Sequence, residues 1–515
     1  MHPYRALLLG VCLVPAGRDH TAAANPAKHA AAAPRAALDQ SALEDFTTTV
    51  LEATRLLHTE HIKPVGQGQL VRWAVEGLNR SLGEQVPGPL MRRLEKAKGM
   101  QEKELAVLIA DARKQLGKRR ALEDLKDIDH ALEGIFARLE PETRQSPQRE
   151  LRDRFRDVIP GYLPAGIGIR MRKIAHGDWL EVLTPVKDGP AYKAGVLAGD
   201  VITRIAHEEG AANDATLPVV STSGLSVADA EKFLRGRPGS KVKLTIRREG
   251  VAKPIMIEVR RAQAEPETVV GVGRKADDTY DFVLDRARHI GYIRITAFGR
   301  HTQREFGRAI AGLKKEGVKG LILDLRFCPR GLIVSAFEVA ERFIDGRILI
   351  FKARHGKPDV FKGQSAGSLL DFPMVCLVNG TMAGVSEALA ACLQDHRRAA
   401  VAGERTPGDV GIKNIYGLDW GEIKFTTAVM IRPSGKNLSR LLTSGKETED
   451  WGVVPDKGLA LKLTPKQNAA LLDHLRHQEV IPRRCRPAKQ AKVEFTDRQL
   501  EMALDHLRKQ LQKAK

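Results

Sequence analysis

The sequence predicts a multidomain protein of mixed class, with both α+β and α/β parts. Three changes of pattern along its 515 residues support this. Amphipathic helical repeats come first, short β-branched runs separated by glycine turns follow from Gly161, and apolar strands alternating with helices come last. The predicted segments are a possible signal peptide (1–24), an Ala/Pro linker (25–40), a helical region (41–160), a β domain (161–263), an α/β domain (264–464) and a basic helical tail (465–515).

Composition and charge restrict the classes of partner. The net charge of +20 suits an anionic surface or polymer, although such charge also serves solubility alone. Neither a zinc-ribbon spacing nor an RNA-binding aromatic motif accompanies it, so nucleic acid is not an expected partner. The five cysteines show no CxxC spacing, and we predict no disulfide framework, no metal site and no cofactor. A homo-oligomer is left open.

The N-terminus has the pattern of an export signal. One arginine precedes an apolar run from Ala6 to Ala16, and alanines follow at Ala22–Ala24. The run is shorter than the roughly 20 apolar residues that span a bilayer. We therefore expect export to the periplasm or cell envelope, with a cytoplasmic location as the alternative.

The helical region contains three amphipathic patterns. The stretches "ALEDFTTTVLEATRLLHTEHI" and "GQLVRWAVEGLNRSL" each place large apolar residues on one face. A third pattern spans roughly Glu102–Leu139 and is broken at Gly117.

The β domain resembles a PDZ domain in two stretches. "AGIGIRM" (Ala165–Met171) matches the carboxylate-binding loop of that family, and "DGPAYKAGVLAGDVITRIA" (Asp188–Ala206) matches its "SPAxxAGLxxGDxI" stretch. The resemblance implies that backbone N–H groups of the loop bind a peptide's C-terminal carboxylate, while the peptide adds as a strand to the sheet edge. A polar insertion, His207–Gly224, departs from the family pattern and bears on access to the groove. The implied peptide-binding residues are Gly166, Ile167, Gly168 and Ile169.

The α/β domain has apolar strands and intervening helices in an order that resembles the C-terminal processing, or tail-specific, serine peptidases. "HIGYIRITAF", "GLILDLRFCPRGL" and "WGVVPD" occur in the order of that family's motifs. The resemblance covers about Leu43 to Leu511 and implies a ClpP/crotonase-like core of layered sheet and helices. The last helical stretch, "DRQLEMALDHLRKQLQKAK", is expected to be an exposed amphipathic helix.

The catalytic positions that the resemblance implies are substituted. In that family a serine in "NGxSASASE" is the nucleophile and a lysine in "TFGKG" is its general base. When the first motif is aligned with "NGTMAGVSE" (Asn379–Glu387), the nucleophile position falls on Gly384. When the alignment continues along the chain without a gap, the lysine position falls on Asp409. Glycine has no side chain, and aspartate cannot reproduce a lysine's geometry. Arg330 also replaces a glycine of the family's "NPGG" turn, so we expect no intact dyad.

Ser386 and Lys413 are the fallback nucleophile and base. Ser386 comes two residues after Gly384, and two positions on a helix differ in direction by about 200°. The Ser386 side chain should therefore point away from the direction of a side chain at position 384, which favours a structural or capping role. Lys413 lies four strand residues beyond Asp409, about 13 Å along the chain.

Three hypotheses follow from these residues. The favoured one is a degenerate peptidase that binds unfolded polypeptides or protein C-termini through its PDZ domain. The first alternative is an active serine endopeptidase that cleaves near apolar C-termini with non-standard residues. The second alternative is a polyanion-binding envelope protein, which rests on charge alone.

Overall fold

The computed structural model describes residues 39–141, 165–174, 178–207, 219–329, 331–363, 371–418, 421–481 and 495–513. The predicted signal peptide, nearly all of the linker, most of the polar insertion and Arg330 lie outside these ranges. The chain forms two compact units, one made of Met1–Arg152, Lys352–Pro358 and Gly411–Val429, the other of the remaining residues. In the described part of the chain, no helix is both long enough and apolar enough to cross a membrane.

The first unit contains the predicted helical region. The third predicted pattern forms two helices, because Gly117 ends the first of them with φ +64°. The second and fifth helices pack closely at Gly77 and Gly134, where a Cβ on Gly77 would lie 2.4 Å from the Cα of Gly134. The α-helices described here are Gln40–Glu60, Gln67–Ser81, Gly88–Glu95, Glu102–Leu116 and Lys126–Leu139.

The apolar faces of these helices form the core of the first unit. Phe46, Leu57 and Leu70 are buried at its centre, as the amphipathic pattern predicts. An antiparallel hairpin of strands Gly411–Leu418 and Gly421–Ile431 contributes Ile423 and Phe425 to the same core.

In the second unit, the β domain forms an antiparallel sheet. The strand Ile169–Lys173 lies at one edge and is followed across the sheet by Leu180–Pro185, Val201–His207, Lys241–Arg247 and Ile255–Arg260. The short strand Val220–Ser221 pairs with Val201–His207. The helices of this domain are Pro190–Lys193 and Val227–Leu234.

The α/β domain of the same unit is built on a mainly parallel sheet, as the apolar strands predict. Four neighbouring strands are parallel and buried: Ile290–Ile295, Gly320–Asp324, Met374–Val378 and Ala400–Gly403. Two antiparallel strands, Val283–Asp285 and Val269–Val270, pair with the first of them. The helices are Thr302–Lys315, Ile333–Ala340 and Val385–Asp395. Two further antiparallel pairs are Gly346–Ala353 with Asp359–Gly363, and Gly273–Arg274 with Tyr280–Asp281.

The last helix of the chain differs from its prediction. The C-terminal part forms the helices Pro465–Gln478 and Arg498–Lys513, and the expectation that the last one is exposed is wrong. Its Ala503 and Leu507 are fully buried in one cluster with Ile290 and Tyr292 of the parallel sheet. A parallel sheet needs apolar cover on both faces, and this helix supplies part of that cover.

Candidate functional site

The helix Val385–Asp395, here called the site helix, begins at the position predicted for the nucleophile. Strand Met374–Val378 precedes it, and Gly384 is its N-terminal cap with φ +68° and ψ −122°. Side chains are strained in this region of backbone conformation, whereas glycine adopts it freely. The helix therefore starts at a residue that carries no nucleophile.

The second vacated position lies beside the first. The backbone N–H of Gly384 donates a hydrogen bond to the carbonyl oxygen of Asp409 at 3.0 Å. The side chain of Asp409 is exposed. The structure thus brings together the two positions that the motif match assigned to nucleophile and base, although 25 residues of chain separate them.

A buried carboxylate holds the segment Thr406–Asp409, here called the site loop. Glu387, in the first turn of the site helix, is fully buried. It accepts hydrogen bonds from the Thr406 hydroxyl at 2.5 Å, the Gly408 amide at 2.6 Å and the Asp409 amide at 2.9 Å. Burial raises the pKa of Glu387 to about 7, against these hydrogen bonds, which favour the ionised form. Sequence reasoning placed Glu387 only as the last residue of the motif and did not assign it this role.

Ser386 lies buried in the first turn of the site helix. Its side chain is fully buried, and its Oγ lies 2.9 Å from the carbonyl oxygen of Cys328 and 2.8 Å from that of Ala383. It is not the cap, because Gly384 occupies that position. A hydroxyl that donates to carbonyl groups is not activated, since a nucleophilic serine needs a base that accepts its proton.

Lys413 is engaged in an ion pair within the first unit. Its Nζ lies 2.8 Å from Oε2 of Glu140, which is 2% exposed. Glu140 also accepts from His61 Nε2 at 3.1 Å and from the Thr426 amide at 2.8 Å. Burial alone would raise the pKa of Glu140, but the hydrogen bond from His61 and the charge of Lys413 outweigh it and hold this pKa well below its usual range.

This pairing argues against Lys413 as a base. A general base must lie within hydrogen-bond reach of the group that it deprotonates, whereas Nζ of Lys413 is bound to the buried Glu140 carboxylate. Nothing in the local sequence around Glu140 indicated its role, because the two partners are 273 residues apart.

The turn that would help to stabilise an oxyanion follows strand Gly320–Asp324. The Phe327 amide donates to Asn379 Oδ1 at 3.0 Å, and Phe327 itself has φ +59°. The Cys328 carbonyl accepts from the Ala383 amide at 3.1 Å, which ties the turn to the start of the site helix. The predicted departure in this turn, Arg330, lies outside the described residues.

An apolar pocket opens next to the site helix. It encloses about 10 Å³, close to the space of one water molecule. Val385, the residue after Gly384, is one of its walls. The lining residues are Ile333, Ala336, Phe337, Ala340, Ile348, Leu349, Val385, Ala388 and Leu389.

The predicted carboxylate-binding loop leads into the edge strand Ile169–Lys173 of the β domain. Gly166 pairs with Ala262 through two backbone hydrogen bonds, 3.1 and 3.0 Å long. Gly168 has φ +69°, and a Cβ there would lie 2.6 Å from the Cβ of Ala264. Glycine is therefore required at this position by conformation and by space. Ile167 is buried in the domain core, and Ile169 begins the edge strand.

The edge strand and the helix Val227–Leu234 both present partly buried apolar side chains. Ile169 and Met171 from the strand, and Val227 from the helix, pack against the core of the β domain. A strand edge beside apolar side chains is the surface to which an extended peptide adds. Among the described residues, no group of three or more His, Cys, Asp or Glu is placed to hold a metal ion.

Comparison with known proteins identifies relatives of the chain. Residues 289–456 match peptidase family S41. The chain is 30% identical over 341 residues to a carboxy-terminal-processing protease of Bartonella bacilliformis, covering 65% of this chain and 70% of that protein. It is also 30% identical over 317 residues to the carboxy-terminal processing protease CtpA of Bacillus subtilis, covering 61% of this chain and 62% of that one. A solved structure of a photosystem II D1 C-terminal processing protease aligns with a TM-score of 0.40 at 24% identity, over 81% of this chain and 93% of that chain.

Proposed function

The chain belongs to the carboxy-terminal-processing protease family, and we propose that it is a catalytically degenerate member that binds the C-termini of polypeptides without cleaving them. The observation that carries this proposal is Gly384 at the start of the site helix. The site keeps its supporting hydrogen bonds, from Gly384 to Asp409 and from the site loop to Glu387. Position 384 itself offers no side chain that could attack a peptide bond, and covalent catalysis by this family requires a nucleophile there.

Binding is assigned to the β domain and its edge strand. Residues Gly166–Gly168 lead into the edge strand that begins at Ile169, and Gly168 has the positive φ that such a loop needs. The Gly166 amide already donates to the Ala262 carbonyl, so it is not one of the donors to the carboxylate. Backbone N–H groups that converge on a carboxylate give the affinity, and apolar side chains beside the strand select the peptide's last residues.

Two predictions from the sequence remain part of the proposal. Export rests on the N-terminal apolar run, which lies outside the described residues. An anionic partner rests on the net charge of +20. Neither is needed for the binding role.

Cleavage is tested with a reduced and alkylated protein as substrate, with products read by mass spectrometry. The wild type and Ser386→Ala are compared with the reconstructed variant Gly384→Ser/Asp409→Lys, which restores both family residues. We expect no cleavage by the first two. Cleavage by the wild type that is lost in Ser386→Ala would establish an active peptidase and overturn the proposal.

Binding is tested with a fluorescent peptide that ends in apolar residues and a free carboxylate. The same peptide with an amidated C-terminus is the ligand control. Met171→Glu changes the edge strand, whereas Met256→Glu changes a side chain that is 72% exposed on the opposite edge strand. We expect binding of the free acid by the wild type and Met256→Glu, and a loss with Met171→Glu or with the amide. Equal binding of acid and amide would refute recognition of the C-terminus.

A further inference from the structure

Glu387 joins the site helix to the site loop through three donors, and two of them are backbone amides of the loop. We propose that this carboxyl group is a pH-sensitive latch, which holds the site loop when ionised and releases the Asp409 amide when protonated. The inference is independent of whether the site binds peptides, since it concerns only the loop and the helix.

The hydrogen-bond geometry gives the two states. Oε2 of Glu387 accepts both the Thr406 hydroxyl and the Gly408 amide, while Oε1 accepts the Asp409 amide. An ionised carboxylate is an acceptor only and serves all three donors, whereas a protonated one carries its own O–H. With the proton on Oε1, that O–H faces the Asp409 N–H, and the hydrogen bond between them weakens.

Other contacts limit how far the loop opens. The Thr406 hydroxyl also accepts from the Val453 amide at 2.8 Å, and the Gly408 carbonyl accepts from the Arg440 amide at 3.0 Å. These bonds do not involve Glu387 and persist in both states. Release is therefore local to the Asp409 end of the loop, next to Gly384.

The charged groups considered for the latch come from the site loop and from the segments beside it. The Asp409 carboxylate acts on Glu387 as a like charge. Arg405, the residue before the site loop, lies over the Trp451 ring, with its guanidinium carbon 3.5 Å from the ring centroid, and bonds the Glu447 side chain. From the following segment, Arg440 also lies over Trp451, at 4.8 Å.

Burial sets the pH at which the latch changes state. It raises the pKa of Glu387 to about 7, with the Asp409 charge acting in the same direction. The carboxyl is therefore mostly protonated at pH 6 and mostly ionised at pH 8.

The latch is tested by hydrogen–deuterium exchange of the full-length protein at pH 6 and pH 8. Protection is measured in a peptide spanning residues 404–411 and corrected for the intrinsic dependence of exchange on pH. Losing a hydrogen bond to a charged acceptor should lower protection about tenfold at pH 6 relative to pH 8. Glu387→Gln should show low protection at both pH values. Glu404→Gln changes a half-buried carboxylate two residues before the site loop and should behave like the wild type.

Two results would overturn the latch. One is equal protection of the wild type at both pH values. The other is a difference that Glu387→Gln retains, because that would place the titrating group elsewhere. If Glu387→Gln does not fold, the wild-type carboxyl carbon of Glu387, followed by NMR, must titrate near pH 7 together with the change in protection.

Discussion

Replacing Lys413 distinguishes a structural role from a catalytic one. Lys413→Met keeps most of the side-chain volume and removes the charge that pairs with Glu140. The Glu140 side chain is 1% exposed and that of Lys413 is 11% exposed, so water cannot replace the lost partner. Breaking a buried ion pair from one side typically costs 3–5 kcal/mol, and Glu140 keeps His61 and the Thr426 amide, so we expect a loss of about 3 kcal/mol.

The assay is unfolding in guanidinium chloride, followed by far-ultraviolet circular dichroism, with the midpoint and slope compared at constant pH. Lys126→Met is the matched control, because Lys126 is half-exposed and pairs with Asp124 at 3.9 Å. Such a surface pair contributes about 0–1 kcal/mol. Adding Glu140→Gln to Lys413→Met should cost less than the two single changes together, because both remove the same pair.

The pH dependence of this pair provides a second check. The pKa of Glu140 is held below its usual range, so its stabilisation is complete above the unfolded pKa and is lost only as pH falls through the folded value. The cost of Lys413→Met should therefore still be fully expressed at pH 8. A cost no larger than that of Lys126→Met would refute a structural role for Lys413.

Three more substitutions test the site and its support. Ser386→Ala should lower the free energy of unfolding by about 1 kcal/mol, because only hydrogen bonds to carbonyl groups are lost. Chemical denaturation measures this loss, and a neutral result would contradict the bond to Cys328. Asp497→Asn should cost about 3 kcal/mol in the same assay, because Asp497 bonds the fully buried Arg326 at 2.9 and 2.7 Å; a loss below 1 kcal/mol would show that this contact is dispensable. Burial raises the pKa of Glu387 to about 7, so the stability that its protonation supplies is present at pH 5 and lost by pH 8. The wild type should be less stable at pH 8 by roughly 2–3 kcal/mol, and thermal unfolding of Glu387→Gln should lack this difference.

Much of the fold follows from local sequence pattern. The 3.6-residue period over Gln40–Glu60 indicates which face is buried, and the short apolar runs at Gly320–Asp324 and Met374–Val378 are typical of strands covered on both sides. The assignment of the family's catalytic positions to Gly384 and Asp409 also comes from the sequence alone, because the family motifs align with it without a gap.

What sequence pattern missed depends on contacts between distant residues. An amphipathic tail helix looks the same whether solvent or a sheet faces its apolar stripe, so the burial of Leu507 could not be predicted. The partnership of Lys413 with Glu140 and the raised pKa of Glu387 depend likewise on burial and on donors from other segments. The sequence by itself determined most of the helices and strands, because these depend on neighbours along the chain, and it put a glycine where the motif match expects the nucleophile. Only the tertiary structure decided which charges are paired and which carboxyl group titrates near neutrality, because desolvation and hydrogen bonding arise when distant segments pack together.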